Sequence, residues 1–161
     1  MPLLRLLVLF LLVLAAPAAA QPQFPKFTGF GVDDANVLPP ETEVLWQTGA
    51  TDTRDLPIEA RGILPADELV QAMRAADVVV AHAGIGSALT ALDAEKVPVL
   101  VPRLHSRGEQ NDDHQTRIAA ELARMGLAIA ATSEALDLGT LREAAGRGVV
   151  RLQRPLPFEL G

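Results

Sequence analysis

Chemistry in this chain is concentrated in two stretches. The first is His82-Ala83-Gly84-Ile85-Gly86-Ser87, directly after the apolar, β-branched run Asp77-Val78-Val79-Val80-Ala81. Two glycines two residues apart let the backbone turn tightly and admit a ligand without interference from a Cβ atom. Ser87 is a favoured helix N-cap type, and Ala88-Leu89-Thr90-Ala91-Leu92 can continue helically. A strand, a glycine turn and a helix start together present free backbone N–H groups and the positive end of a helix dipole, which suits an anion such as phosphate. The second stretch runs from Arg103 to Gln115, a long polar loop that holds Arg107, His105, Asp112, Asp113 and His114.

Neither stretch completes a standard motif. Gly84-Ile85-Gly86 lacks the third glycine of the dinucleotide fingerprint, and no Gly-Lys-Ser/Thr follows as in a P-loop. On the residues alone, the glycines serve either a ligand or tight packing, and His82 is either a ligand neighbour or a strand-end residue bonded to a nearby loop. Arg103 and Arg107 divide the same way, between anion contact and solvated loop. His105, Asp112, Asp113 and His114 lack a second spaced ligand set, so no metal site is expected. No Ser-His-Asp spacing points to hydrolysis.

The elements that must position these residues follow from periodicity. Glu43 to Gln47 reads as a strand ending at Thr48-Gly49, with a weaker strand within 58–64. Pro65 with Asp67 and Glu68 opens a helix whose apolar face is Leu69, Val70, Met73 and Ala76. After the Asp77 strand and its helix, Pro98 to Pro102 is a buried-strand run and 112–125 an amphipathic helix closed by Gly126. A strand at 127–130 and a helix at 138–145 complete the pattern. Strands alternating with helices predict an α/β fold, a parallel sheet with flanking helices. Ligands of such sheets sit outside the carboxyl ends of the strands. Gln47-Thr48-Gly49, His82–Ser87 and the 103–115 loop are therefore expected to share one site, with Thr48, Gly49 and Arg103 as anion contacts.

With 161 residues, 49% of them hydrophobic, the chain has enough for one globular core and too little for two full domains. Twenty acidic residues against fourteen basic ones give a net charge of −6, and with no basic run nucleic acid is not an expected partner. The absence of cysteine excludes disulfides, thiolate catalysis and cysteine-based zinc sites. Residues 1–20 have the pattern of a signal-like leader: Arg5, an apolar run from Leu6 to Ala16, then Ala18-Ala19-Ala20 before Gln21. Such a leader implies export or membrane attachment. Residues 21–40, punctuated by prolines, read as a linker, 41–146 as the α/β domain and 147–161 as a C-terminal tail.

Three motifs taken together, Ala76-Asp77-Val78-Val79-Val80-Ala81-His82-Ala83-Gly84-Ile85-Gly86-Ser87, Lys96-Val97-Pro98-Val99-Leu100-Val101-Pro102 and Asp113-His114-Gln115, resemble the C-terminal, donor-binding domain of glycosyltransferase family 28. That group includes the N-acetylglucosaminyl transferase of peptidoglycan synthesis and the small catalytic subunit of the dolichol-linked enzyme. The resemblance implies a single Rossmann-like domain corresponding to the C-terminal half of a two-domain (GT-B type) glycosyltransferase. It further implies transfer of a hexosyl group from a UDP-sugar, without metal or other cofactor, at the cytoplasmic face of a membrane. His82, Gly84, Ile85, Gly86 and Ser87 would receive the donor diphosphate, Leu64 and Thr90 would lie at base and ribose, and His114 and Gln115 would read the donor sugar.

Two departures accompany the resemblance. Where the family usually has a glutamate that holds the ribose hydroxyls, this chain has Thr90. The family domain also opens with a strand and a Gly-Thr loop ahead of the Glu43 strand, a position occupied here by the leader and linker, so one strand is expected to be missing. An acceptor-binding domain or partner subunit is implied as well. The alternatives are a non-catalytic nucleotide-sugar or anion-binding subunit, and, by fold analogy, a nucleotide-sugar epimerase-like protein.

Overall fold

Val78 to His82 form a strand in which every residue is buried. Valine at three successive positions suits a pleated surface, and burial on both sides explains why the run is apolar without alternation. The two faces nevertheless serve different cores. Val79 and Ala81 pack with Met73, Ala76, Ala88, Ala91, Leu100 and Ala119. Val78 and Val80 pack with Val99, Leu136, Leu141 and Ala144, and half-buried Trp46 joins this second cluster as a core aromatic.

The computed structural model describes residues 5–9, 42–49, 54, 59–103 and 114–149. Among these, the strands are β1 (Arg5–Leu9), β2 (Glu43–Gln47), β3 (Ala60–Arg61), β4 (Val78–His82), β5 (Val99–Val101) and β6 (Ile129–Ala130); the helices are α1 (Ala66–Ala75), α2 (Ile85–Asp93), α3 (His114–Arg124) and α4 (Leu138–Ala145). All strand pairs are parallel, in the order β3-β2-β1-β4-β5-β6. Residues of α1, α2 and α3 line the first core and those of α4 the second, so helices cover both faces as the α/β expectation requires. Alanines at 88, 91 and 119, all at most 1% exposed, let α2 and α3 lie close against the sheet.

The chain steps outward from β1 to β2 and β3, returns to β4 beside β1, and steps outward again to β5 and β6. Strand order therefore reverses between β1 and β4. In open parallel sheets this reversal leaves a crevice at the carboxyl ends, because the two flanking connections leave toward opposite faces. The glycine turn after β4 lies at that point.

Three expectations are revised here. The strand thought missing is present: Leu7 of β1 pairs with Leu45 of β2 and with Val79 of β4, at the centre of the sheet. Its five residues come from the stretch read as a leader. The two readings share one sequence pattern, since the apolar core of an export signal and an inner strand of a parallel sheet are both unbroken aliphatic runs. Cleavage after residue 20 would remove β1 from the sheet. The rest of the leader, the linker and the tail from residue 150 lie outside the described residues. Secondly, α2 is capped by Gly84 and not by Ser87. Gly84 holds an extended conformation, φ −75° and ψ 132°, which places Gly86 and Ser87 inside the first helical turn. The weak strand within 58–64 contracts to the two residues of β3.

Candidate functional site

The site is best built outward from His82, the last residue of β4, whose ring is only 8% exposed. Its Nδ1 accepts a hydrogen bond from the Gly84 N–H at 2.9 Å, closing the turn on itself. On the other side of the ring, Nε2 stands 3.5 Å from Ser87 Oγ. A Cβ on residue 84 would lie 2.7 Å from Nδ1 and closer still to Cε1, so the imidazole itself demands glycine there. Burial, and then the positive charge of Arg103, push the His82 pKa down from 6.5 to about 4. The ring is thus neutral at physiological pH.

Gly86 differs in kind. Among the described residues a Cβ there would meet nothing within 4 Å, so none of their packing contacts accounts for the glycine. No side chain caps α2 and no acidic residue occupies its first turn. The first backbone bond of the helix runs from the Ala88 N–H to the Gly84 carbonyl at 3.1 Å, which places the N–H groups of Ile85, Gly86 and Ser87 ahead of the intrahelical ladder. Uncapped donors and the dipole's positive end, with the positive charge of Arg103 felt at His82, make this helix start electropositive and suited to an anion.

Register places the other expected residues. His82 is level with Val101 of β5, two residues before Arg103, so the Arg103 loop leaves the sheet beside the turn. Gln115, 4% exposed in the first turn of α3, accepts the Arg103 N–H through Oε1 at 3.1 Å and ties that helix to the end of β5. One end of the amide expected to read sugar hydroxyls is therefore committed to the backbone. His114 begins α3 and is exposed. Arg107, His105, Asp112 and Asp113 lie outside the described residues.

On the β2 side the expected anion contacts are already engaged. Thr48 directs both its N–H, at 2.9 Å, and its hydroxyl, at 3.2 Å, to the Arg61 carbonyl, while the Gly49 N–H points to the Gly62 carbonyl at 3.4 Å. These donors fasten the end of β2 to the last residue of β3 and to Gly62, and are not turned toward the crevice. Gln47, 2% exposed, accepts the Leu64 N–H through Oε1 at 3.2 Å, which fixes the chain just before α1. Pairing across so many residues leaves no local trace in the sequence. Thr90 donates its hydroxyl to the Gly86 carbonyl one turn back at 2.8 Å, so it is anchored on its own helix.

The same arrangement of sheet and helices occurs in solved glycosyltransferase structures. The glycotransferase of kitacinnamycin matches with a TM-score of 0.53 at 20% identity, over 88% of this chain and 34% of that one. SnogD from Streptomyces nogalater matches at 0.52 and 20%, over 89% and 34%. MurG of Acinetobacter baumannii matches at 0.52 and 19%, over 88% and 40%. This chain thus spans about a third to two fifths of their lengths. A sequence search of curated proteins finds no match. Residues 24–146 match the model of the glycosyltransferase family 28 C-terminal domain, and the chain belongs to that family.

Proposed function

We propose that the turn from Gly84 to Ser87 binds the diphosphate of a UDP-sugar, and that the chain supplies the donor-binding half of a hexosyl transfer to an acceptor held by another domain or subunit. The observation that carries this reading is the uncapped start of α2 at the strand-order reversal, with Arg103 beside it and open space over Gly86. In such a transfer the nucleoside diphosphate leaves with added negative charge, which fixed N–H donors and a helix dipole stabilise without reorganising. No metal is required by this arrangement. Ile85 and Leu89, four residues apart on α2 and 50% and 52% exposed, present apolar surface beside the turn that a facing acceptor half would cover.

Titration calorimetry of the full chain with UDP, UDP-N-acetylglucosamine and UDP-glucose tests the proposal against Gly86→Asp. Nothing crowds a side chain at 86, and an acidic group near a helix N-terminus is favourable, so this variant is expected to fold at least as stably as the parent. Its carboxylate would nevertheless repel a diphosphate, and binding should fall by at least tenfold. Equal affinity in the two proteins would remove the site from this turn. The Thr90 hydroxyl, committed to the Gly86 carbonyl of its own helix, favours one second reading, a subunit that binds the nucleotide sugar without catalysis. It predicts saturable UDP-sugar binding but no transfer when an acceptor-binding subunit is added.

A further inference from the structure

We infer that His82 is a positioning residue of the glycine turn: it takes up the Gly84 N–H at Nδ1 and, through Nε2–H, turns the Ser87 hydroxyl proton outward toward the bound anion. The argument begins with the tautomer. A neutral imidazole carries one proton, and Nδ1 is occupied as an acceptor at 2.9 Å, so the proton resides on Nε2. The group nearest Nε2 in the turn is Ser87 Oγ. An oxygen that accepts from the ring has its own hydrogen left to donate, and Ser87 shares the first turn of α2 with the Ile85 and Gly86 N–H groups. One backbone donor, Gly84 N–H, is thereby exchanged for one hydroxyl donor, joined through a polarised ring.

Three further observations agree with this role. The imidazole is buried at the end of a fully buried strand, which holds its orientation. Residue 84 has no room for a Cβ because the ring fills the space. Burial and the Arg103 charge keep the ring in the neutral form that acceptance at Nδ1 needs. This inference rests on the proposed diphosphate site for its ligand, but the tautomer stands independently of any ligand.

The test has two arms, both on the full chain. Long-range proton–nitrogen correlation of histidine-labelled protein, with His82 assigned by its loss in His82→Asn, should give a neutral ring protonated at Nε2 from pH 5 to 8, and its Nε2 resonance should shift in Ser87→Ala. A protonated Nδ1, an imidazolium in that range, or an Nε2 signal indifferent to Ser87→Ala would overturn the inference. The second arm measures UDP affinity in His82→Asn, His82→Gln, Ser87→Ala and the His82→Asn/Ser87→Ala double variant. Asparagine places an oxygen near the position of Nδ1 and should preserve the turn, so its loss of affinity should be about tenfold, equal to that of Ser87→Ala, and no greater in the double variant. Additive losses, or a glutamine variant that binds better than the asparagine one, would mean that His82 touches the anion itself and would sink the positioning role. If the parent chain binds no UDP, the proposed function fails, and the resonance arm alone decides the tautomer and its coupling to Ser87.

Discussion

At the scale of single residues, a neutral imidazole inside the fold makes stability depend on pH in a defined direction. His82 has its pKa lowered from 6.5 to about 4, first by burial and then by Arg103. Once unfolded it titrates at its ordinary value, so between those limits the unfolded chain binds a proton that the folded chain refuses. Stability is therefore full above pH 6.5 and declines as pH falls toward 4, by about 3 kcal/mol. Urea unfolding from pH 7.5 to 4 should show this decline in the parent and its absence in His82→Asn. Asp137, whose pKa is held low by its bonds to Thr140, contributes equally to both chains and cancels in the difference. Parallel curves would mean that another group titrates. The residue types of this site were legible from the sequence; their partners were not. His82 was open between a ligand and a nearby loop, and the structure gives its Nδ1 to a backbone N–H two residues away. That outcome depends on a ring rotamer, which no spacing rule encodes.

At the scale of elements, the two ends of α2 show how far local signals reach. The helix closes through the Glu95 N–H to the Leu92 carbonyl at 2.9 Å and the Lys96 N–H to the Ala91 carbonyl at 3.0 Å, which puts Glu95 in the left-handed region at φ 64°. α3 closes by the same pair of bonds, but with Gly126 at φ 73° in the equivalent place. A non-glycine residue there costs about 1 to 2 kcal/mol. Glu95→Gly is accordingly expected to raise stability by about 1 kcal/mol and the melting temperature by about 3 °C in a calorimetric scan. An unchanged or lower midpoint would show that the Glu95 side chain makes compensating contacts. The contrast also explains what could be read. Gly126 announced the end of α3 and Gly146 that of α4, whereas Asp93-Ala94-Glu95-Lys96 contains no residue that marks a stop. At its start, α2 was expected to be capped by Ser87, and the close fit of the His82 ring against residue 84 goes with the glycine that stands at the cap instead.

For the whole molecule, the alternation of strands and helices was enough to give the parallel sheet and the common edge of the candidate site, yet the strand expected to be missing is present at the sheet's centre. A run such as Arg5-Leu6-Leu7-Val8-Leu9 satisfies an export machinery and a buried strand equally, so composition cannot separate them; pairing does. Among the described residues, the strand neighbours of β2 are β1 and β3. Among the described residues, β1 therefore stands between the β2 side, with Gln47, Thr48 and the Leu64 segment, and the glycine turn after β4, and its five residues lie outside the span matched by the family model. Leu7→Pro probes this through the backbone alone. It deletes an N–H from a strand paired on both sides, where proline is not accommodated, and should cost about 3 kcal/mol or more. Arg5→Pro, at the first residue of the strand, should be tolerated and serves as its control. Trp46 is the only tryptophan and lies on β2, so its fluorescence reports separation of that strand from the sheet. In Leu7→Pro its emission should shift to longer wavelength and the urea midpoint should fall. Emission and midpoint equal to those of Arg5→Pro would mean that the sheet closes without β1, and would return the apolar start of the chain to the role of a leader.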